Sequence, residues 1–188
     1  MIEAVRVPEG KRGPWSVKRF CVSEHEAKMT QIRAMMHGRG YVPPGTYTQL
    51  HHERRGIVMS DTPDEMRDHR EFVWRATGNV LINGLGLGMA LAAILKKPDV
   101  KGVTVIEIDP DVVALIGPAF AKERVSIICA DAFAWSPPKG ERYETAWHDI
   151  WDDICGDNLP EMTKLKRKYG RRVDWQGCWC EHQTRRGR

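Results

Sequence analysis

The first residues that could do chemistry form a glycine-rich loop. The sequence Asn-Gly-Leu-Gly-Leu-Gly occupies residues 83–88, directly after a short apolar run at 80–82. Glycines allow a tight turn in which the backbone approaches a ligand, and the helix that follows adds unpaired N–H groups. Met89 stands where the third glycine of a dinucleotide-binding loop would be, and no Gly-Lys-Ser/Thr follows. The spacing therefore argues against a dinucleotide site and against a phosphate-binding P-loop.

Acidic residues follow the next two apolar segments. Glu107 lies nineteen residues after Gly88, where a carboxylate can accept hydrogen bonds from both hydroxyls of a ribose. We expect Asp109, which precedes a proline, to cap the next helix and to leave Glu107 free for a ligand. The alternative is that Glu107 itself only caps that helix. Asp131 could accept a hydrogen bond from the amino group of adenine, or could instead cap a helical turn at 132–135.

A third acidic cluster ends the fourth apolar segment. Asp149, Asp152 and Asp153 lie within five positions. Carboxylates this close repel one another, which raises the pKa of at least one of them and suits it to act as a general base. The alternative is a solvated acidic loop. Because open α/β sheets bind ligands at the carboxyl ends of their strands, we expect these acids and the glycine loop to line one pocket.

The elements that must position these residues alternate between strands and helices from residue 79 onward. Short apolar runs separated by helical segments predict βαβ units, and hence a parallel sheet covered by helices on both faces. The predicted fold class is therefore α/β, a Rossmann-like, doubly wound, mostly parallel sheet. The predicted strands are 80–82, 103–108, 125–129, 143–149 and 172–180, and the predicted helices are 89–97, 110–116 and 158–169.

Residues 1–78 are predicted to form a small N-terminal extension. A Ser-x-x-Glu capping box begins at Ser23, and a second capping box is predicted between Thr62 and Glu65. In chain order, the extension is predicted to contain a helix over 23–36, a β-hairpin from 46–50 and 57–59, and a helix over 62–77. The second unit, 79–188, is then the Rossmann-like domain with a basic C-terminal tail.

The segment 80–149 resembles the core of the class I S-adenosylmethionine-dependent methyltransferases, and is most similar to their spermidine-synthase-like branch. The stretches VLINGLGLG, VTVIEIDPDVV, RVSIICADAF and YETAWHDIWDD resemble its glycine loop, ribose-binding acid, adenine-binding acid and catalytic-acid strand. The resemblance implies S-adenosylmethionine as cofactor. It also implies that Asp149 orients or deprotonates the nucleophile, assisted by Asp152 or His148. The implied cofactor-binding residues are Asn83, Gly84, Leu85, Gly86, Gly88, Glu107, Ile108, Asp131 and Ala132.

Two positions depart from that pattern. Leu87 occupies the place of an acid with which polyamine synthases hold the amino-acid end of the cofactor, and Asn83 replaces an acid found in many methyltransferases. About forty residues follow the fourth strand, so we expect the superfamily's sheet to be incomplete at its C-terminal end. These features favour a methyltransferase whose acceptor the sequence does not identify. Aminopropyl transfer to a diamine and a non-catalytic nucleoside-binding accessory module stay open as alternatives.

The composition is that of a soluble globular protein. Of the 188 residues, 41% are hydrophobic and 29% are charged, and we expect no membrane span. Five cysteines without paired spacing favour reduced thiols and, together with a start that is not apolar, a cytoplasmic location. Cys178, Cys180 and His182 could bind a metal ion, but no fourth ligand is evident, so we expect no metal site.

Basic residues are concentrated towards the C-terminal end. The net charge is +4, and six Lys or Arg side chains occupy the segment from Lys164 to Arg172 with no acid among them. We expect them to spread around a helix and to bind polyanions weakly and in a salt-dependent way. The acceptor could be a small molecule or a nucleic acid, and both a monomer and a homodimer are compatible with the sequence.

Overall fold

The computed structural model describes residues 7–187 and arranges their strands in two sheets. The parts of the predictions that fall on residues 1–6 and on Arg188 lie outside the described residues. Within the described part, none of the helices combines the length and the apolar composition that crossing a membrane requires. The second sheet begins at Gly78, one residue before the predicted start of the alternating unit.

An antiparallel sheet of four strands forms the N-terminal part of the protein, in the order β1-β2-β3-β4. Its strands are β1 (Gly10–Arg12), β2 (Trp15–Val22), β3 (Gly45–His52) and β4 (Gly56–Ser60). Strands β3 and β4 confirm the predicted hairpin, whereas β1 and β2 were not predicted. Strand β2 lacks the alternation of a half-buried strand, because residues 15–17 are all buried and Lys18 and Arg19 are both exposed.

Helix α1 (Glu24–His37) connects β2 to β3 and begins as predicted. The Ser23 hydroxyl accepts a hydrogen bond from the Glu26 N–H, and the Glu26 carboxylate accepts one from the Ser23 N–H. This reciprocal pair satisfies two of the N–H groups that the first turn of a helix leaves unpaired. The helix ends at Gly38, which adopts a left-handed conformation.

The predicted helix over 62–77 is divided into α2 (Pro63–Asp68) and α3 (Arg70–Arg75). The Thr62 side chain makes no capping hydrogen bond. The Glu65 carboxylate instead accepts hydrogen bonds from the Ser60 N–H at 2.7 Å and from the Ser60 hydroxyl at 2.6 Å. The predicted capping box at this helix is therefore wrong, because Glu65 ties α2 to the end of β4.

The second sheet is parallel and confirms the predicted doubly wound α/β fold. Its strand order is β7-β6-β5-β8-β9. Its strands are β5 (Gly78–Asn83), β6 (Val100–Glu107), β7 (Val125–Cys129), β8 (Tyr143–His148) and β9 (Val173–Cys178). Its helices are α4 (Met89–Ile94), α5 (Pro110–Ile116), α6 (Asn158–Tyr169) and α7 (Glu181–Arg185). The order reverses at β5, so a crevice opens at the carboxyl ends of β5, β6 and β8.

Apolar side chains cover both faces of the parallel sheet. The core on one face includes Val80, Ile82, Leu91, Ile94, Val105, Val112 and Ile116. The core on the other face includes Leu81, Ile106, Ala146, Leu165 and Tyr169. Trp15, Val17 and Leu50 of the antiparallel sheet belong to the first of these cores. The two sheets therefore share a hydrophobic core, which fixes the antiparallel sheet beside the crevice.

Candidate functional site

A cavity of about 240 Å³ lies at the carboxyl edge of the parallel sheet, against the antiparallel sheet. Gly84 and Gly86 of the glycine loop form part of its wall. Its charged lining residues are Arg55, Glu107, Asp109, Asp131, Asp149 and Asp152. Its apolar lining includes Trp15, Met59, Ile108, Ala132, Phe133, Ile150 and Trp151. The strand-end acids at 107, 131 and 149 that the sequence predicts in one pocket are brought together.

The glycine loop requires glycine because backbone and side chains approach it closely. Gly84 has a φ of +96°, and a Cβ there would overlap the carbonyl oxygen of Asp149. Gly86 has a φ of +49°, and its Cβ would lie 2.7 Å from the Met59 Sδ. The Leu87 N–H also donates to that sulfur at 3.3 Å. The loop is therefore held between the end of β8 and strand β4.

Glu107 ends β6 with only 8% of its surface exposed. Its carboxylate accepts hydrogen bonds from the Leu85 N–H at 2.8 Å and from the Asp109 N–H at 2.9 Å. The expectation that the Glu107 carboxylate is left free for a ligand is therefore wrong in one respect, because each of its oxygens already accepts one backbone hydrogen bond. Each keeps a further lone pair, which suffices for a ribose hydroxyl. Burial raises the pKa of Glu107, and the backbone N–H groups of Asp109, Leu85 and Ile108 oppose that effect.

Asp109 caps α5, as predicted. Its Oδ1 accepts a hydrogen bond from the Asp111 N–H at 2.9 Å, and its Oδ2 accepts one from the Trp15 indole at 2.7 Å. Residue 109 therefore also joins the parallel sheet to β2, a contact that the sequence did not predict. Ile108 lies between the two acids and is 66% exposed at the rim of the cavity.

Asp131 follows β7, and its predicted role towards adenine stays a prediction. Its Oδ1 accepts a hydrogen bond from the Phe133 N–H at 2.8 Å, so it stabilises the turn after the strand. No helix forms at 132–135, where the structure has a turn. The second carboxylate oxygen accepts no hydrogen bond within residues 7–187, and Asp131 lines the cavity. The carbonyl of Ala132 is fixed from behind by the Tyr169 hydroxyl at 2.7 Å.

Asp149 follows β8 directly, and its side chain is 9% exposed. Burial, together with the negative charges of Glu65, Asp68 and other nearby acids, raises its pKa from 3.8 to about 8. Its N–H donates to the Asn83 carbonyl at 2.8 Å, which fixes the backbone beside the glycine loop. The predicted rise in the pKa of one acid of the cluster therefore agrees with the geometry, although burial contributes more than repulsion.

His69 was not predicted, and it lies beside Asp149. Its Nδ1 is 3.9 Å from the Asp149 Oδ2, and the side chain is 1% exposed. Neither ring nitrogen has a hydrogen-bond partner among the described residues. Burial lowers the pKa of His69 to about 4. At neutral pH the imidazole is therefore uncharged, and the proton of this pair resides on Asp149. No sequence signal brings residue 69 to this edge, since it lies between two short helices.

His148 and Asn83 lie behind the cavity rather than in its lining. The Asn83 side-chain amide donates to the His148 Nδ1 at 2.7 Å, and the His148 Nε2 lies 3.1 Å from the Gln176 Oε1. The His148 ring stacks on Tyr169 with a centroid distance of 5.5 Å. Adjacent side chains of a strand point to opposite faces of the sheet, so the His148 side chain points to the face opposite that of Asp149. The prediction that His148 assists at the reacting group does not agree with this position.

Two predicted glycine-loop residues also act from outside the cavity. Leu85 contributes its N–H to Glu107, while its side chain is buried in the core. Gly88 begins α4 with a φ of +73°, and a Cβ there would overlap the Phe120 ring. Neither is among the residues that line the cavity. Their contribution to a ligand is therefore the shape of the loop.

Arg55 closes the cavity from the hairpin. Its guanidinium lies 2.6 Å from the Asp152 Oδ2 and 4.8 Å from the centre of the Trp15 ring. Among the described lining residues, Arg55 is the one basic side chain. Asp152, predicted as a catalytic assistant, thus forms an ion pair across the mouth of the cavity.

Within residues 7–187, no group of three His, Cys, Asp or Glu side chains could hold a metal ion.

No family model matches this chain. Among curated proteins, polyamine aminopropyltransferase 2 of Ralstonia nicotianae is 33% identical over 113 residues, which cover 52% of this chain and 22% of that protein. Polyamine aminopropyltransferase 2 of Caldanaerobacter subterraneus is 35% identical over 128 residues, which cover 61% of this chain and 43% of that protein. The chain therefore spans less than half the length of these relatives.

A solved N-methyltransferase, NodS from Bradyrhizobium japonicum, is similar with a TM-score of 0.47 and 16% identity, over 60% of this chain and 64% of that chain. The fold and the cavity define a Rossmann-like α/β protein with an acidic cavity at the carboxyl edge of its sheet. Within that class, the curated relatives confirm the resemblance of the sequence to the spermidine-synthase-like branch.

Proposed function

We propose that this protein binds S-adenosylmethionine in the cavity and transfers its methyl group to an acceptor held beside Asp149. The observation that carries the proposal is the meeting of Gly84 and Gly86, Glu107, Asp131 and Asp149 around one space. The resemblance implies that these residues serve, in this chain order, as the glycine loop, the ribose-binding acid, the adenine-binding acid and the catalytic acid. A chance arrangement of acids would not reproduce that order together with the parallel sheet.

The residues present fit such a cofactor. Glu107 and Asp131 both line the cavity and keep unused acceptor capacity, for the ribose hydroxyls and the adenine amino group respectively. Ile108 and Ala132 provide apolar surface for the adenine ring. The acidic lining also suits the positive charge of a sulfonium group. That charge favours the ionised form of nearby carboxylates, and the ionised carboxylates in turn attract it.

When bound, the cofactor supplies a methyl group on a sulfonium that is already a strong electrophile. The protein then needs to hold the acceptor in line, to exclude water and to accept a proton. Asp149 is suited to the last task, because a pKa of about 8 lies close to the pH at which a general base works best. The His69 imidazole lies 3.9 Å from that carboxyl group and is uncharged at neutral pH, because burial lowers its pKa to about 4.

Aminopropyl transfer from decarboxylated S-adenosylmethionine is the second candidate, and the names of the curated relatives favour it. Two observations favour intact S-adenosylmethionine instead. Arg55 offers a guanidinium to the α-carboxylate, which the decarboxylated compound lacks. Leu87 is fully buried where the resemblance places an acid in polyamine synthases.

Calorimetry with S-adenosylmethionine and with its decarboxylated form separates the two candidates. We expect micromolar binding of the intact cofactor, and an Arg55→Gln variant should lose affinity for it by about tenfold or more. The same variant should bind the decarboxylated form as the wild type does. Arg54→Gln is the matched control, because Arg54 is exposed on the same turn and does not line the cavity. Tighter binding of the decarboxylated form would favour aminopropyl transfer.

The acceptor class requires a transfer assay. The protein is incubated with methyl-labelled S-adenosylmethionine and, separately, with pools of nucleic acid, protein and small amines. We expect label in one pool and loss of that label with Asp149→Asn. Binding of the cofactor without transfer to any pool would contradict the catalytic part of the proposal and support a nucleoside-binding accessory module.

A further inference from the structure

Helix α6 carries three of its four basic residues on one face. Met162, Leu165 and Tyr169 of this helix are buried. Lys164, Arg167 and Lys168 lie at the spacing i, i+3 and i+4 on the side of α6 opposite these buried residues, and the exposed Arg171 follows in the turn after the helix. We call these four residues the basic stripe. The expectation that the basic residues spread around the helix is therefore wrong for Lys164, Arg167 and Lys168.

The other two basic residues of the segment are engaged elsewhere. The Lys166 ammonium lies 2.8 Å from the Glu181 carboxylate, and the Arg172 guanidinium donates to the Glu141 carbonyl at 3.2 Å. Lys166 lies off the exposed face of the helix, and Arg172 lies in the turn between α6 and β9. The stripe thus contains the basic side chains of this segment that are left for a partner.

The stripe has no acidic counterpart within the described residues. Lys164, Arg167 and Arg171 are exposed, and no residue of the stripe forms an ion pair with an Asp or Glu of residues 7–187. The Lys168 ammonium is 3.3 Å from the Ser136 hydroxyl. Three cations on one face of the helix and a fourth in the turn that follows, with no anion between them, repel one another. A partner with closely spaced negative charges relieves that repulsion.

The stripe begins at the rim of the cavity. The Lys164 ammonium lies 4.9 Å from the centre of the Phe133 ring, and Phe133 lines the cavity. Trp151 also lines it, and its indole donates to Glu161, the acid in the first turn of α6, at 2.8 Å. The partly exposed Phe133 ring therefore joins the stripe to the cavity, and the partly exposed Trp151 ring lies on the cavity wall beside the first turn of α6. Unpaired bases stack on such rings.

We propose that the basic stripe of α6 is a docking surface for single-stranded nucleic acid, whose phosphates contact the four cations and whose bases reach the aromatic rim. An anionic membrane fits less well, because a helix that lies on a membrane inserts an apolar face, and that face of α6 is buried against the sheet. The proposal rests on charge and shape alone, so it stands or falls separately from cofactor binding.

Fluorescence anisotropy with a labelled 20-nucleotide single-stranded DNA or RNA tests the surface. Four phosphate contacts predict that affinity falls about 50-fold between 50 and 200 mM salt, and two contacts predict a fall of about 7-fold. We therefore expect Arg167→Gln/Arg171→Gln to weaken binding at low salt and to flatten the salt dependence. Lys101→Gln/Lys122→Gln is the matched control, because both residues are exposed and the change in charge is equal.

Three results would overturn the proposal. They are no binding by the wild type, equal weakening by the control pair, and binding to vesicles of phosphatidylserine and phosphatidylcholine but not to the oligonucleotides. Circular dichroism of both double variants excludes misfolding as the cause of a loss. Calorimetry with S-adenosylmethionine on the same preparations shows whether the cofactor site is intact, so a failure of the surface is distinguished from a failure of the proposed function.

Discussion

Asp149→Asn tests the buried carboxyl group directly, because the change keeps the shape of the side chain and removes the ionisable proton. In the native protein, burial raises the pKa of Asp149 from 3.8 to about 8. In the unfolded chain the group ionises with an ordinary pKa near 3.9. The native state therefore binds more protons between these values, so the stability that Asp149 contributes is complete below about pH 4 and is lost as the pH rises to about 8.

The magnitude follows from the same two values. A difference between 3.8 and about 8 in the pKa of Asp149 corresponds to roughly 6 kcal/mol, of which roughly 4 kcal/mol is lost by pH 7. These figures are upper limits, because neighbouring acids adjust their own protonation. Asparagine is uncharged in both states and incurs no such loss. We expect the variant to gain stability relative to the wild type as the pH rises.

Urea unfolding at pH 4.5, 6, 7 and 8 measures this difference. Asp152→Asn is the matched control, since that side chain is 39% exposed and forms its ion pair at the mouth of the cavity. We expect the free-energy difference for Asp149→Asn to grow by several kcal/mol across this range, and that for the control to change little. A constant difference at every pH would refute the inference that Asp149 is held uncharged in the native protein.

The same variant addresses catalysis. We expect turnover to fall by about 10²–10⁴-fold, the usual contribution of a positioned acid–base group, while cofactor affinity stays within a few-fold of the wild type. In the wild type, kcat/KM should rise with pH up to about 8, because only the deprotonated form of Asp149 can accept a proton. Full activity in a folded Asp149→Asn protein would remove the catalytic role.

Three further outcomes are expected. Glu107→Gln should weaken S-adenosylmethionine binding by about tenfold or more in calorimetry, with the exposed Glu123→Gln unchanged. Gly84→Ala should destabilise the protein in thermal melts by more than the roughly 1–2 kcal/mol of a left-handed backbone, whereas Gly140→Ala, at a φ of +89° in open space, should show that backbone cost alone. Burial lowers the native pKa of His148 to about 4, so the wild type should lose up to roughly 3 kcal/mol of unfolding free energy as the pH falls from 6.5 to 4. His148→Gln should remove that loss and should leave turnover nearly intact.

The parallel sheet was predictable because its signals are local. Each strand is a short apolar run, and a proline or glycine marks the adjoining helix, as at Pro110 and Gly88. The strand-end position of an acid follows from the run that precedes it, so Glu107, Asp131 and Asp149 could be assigned to one edge. The orientation of His148 was also accessible in principle, because side chains of adjacent residues in a strand face opposite sides.

The remaining parts of the site depend on contacts between distant segments, and local patterns do not encode these. Trp15, Arg55 and Met59 reach the cavity only because two sheets pack through a common core. His69 lies at the break between two helices, where the helical pattern of the sequence continues without interruption. The hydrogen bonds to Glu107 likewise come from backbone groups, which any residue can supply.

The contacts across the cavity have a consequence for the order in which the protein is made. Trp15 bonds to a residue 94 positions later in the chain, and Arg55 to one 97 positions later. During synthesis the antiparallel sheet emerges first, and its core side chains Trp15, Val17 and Leu50 lack their packing against the parallel sheet until the strands from Gly78 onward have followed. The cavity is thus completed only when residue 152 has been added. A ligand that binds there recognises the finished fold, and its binding free energy adds to the stability of both sheets at once.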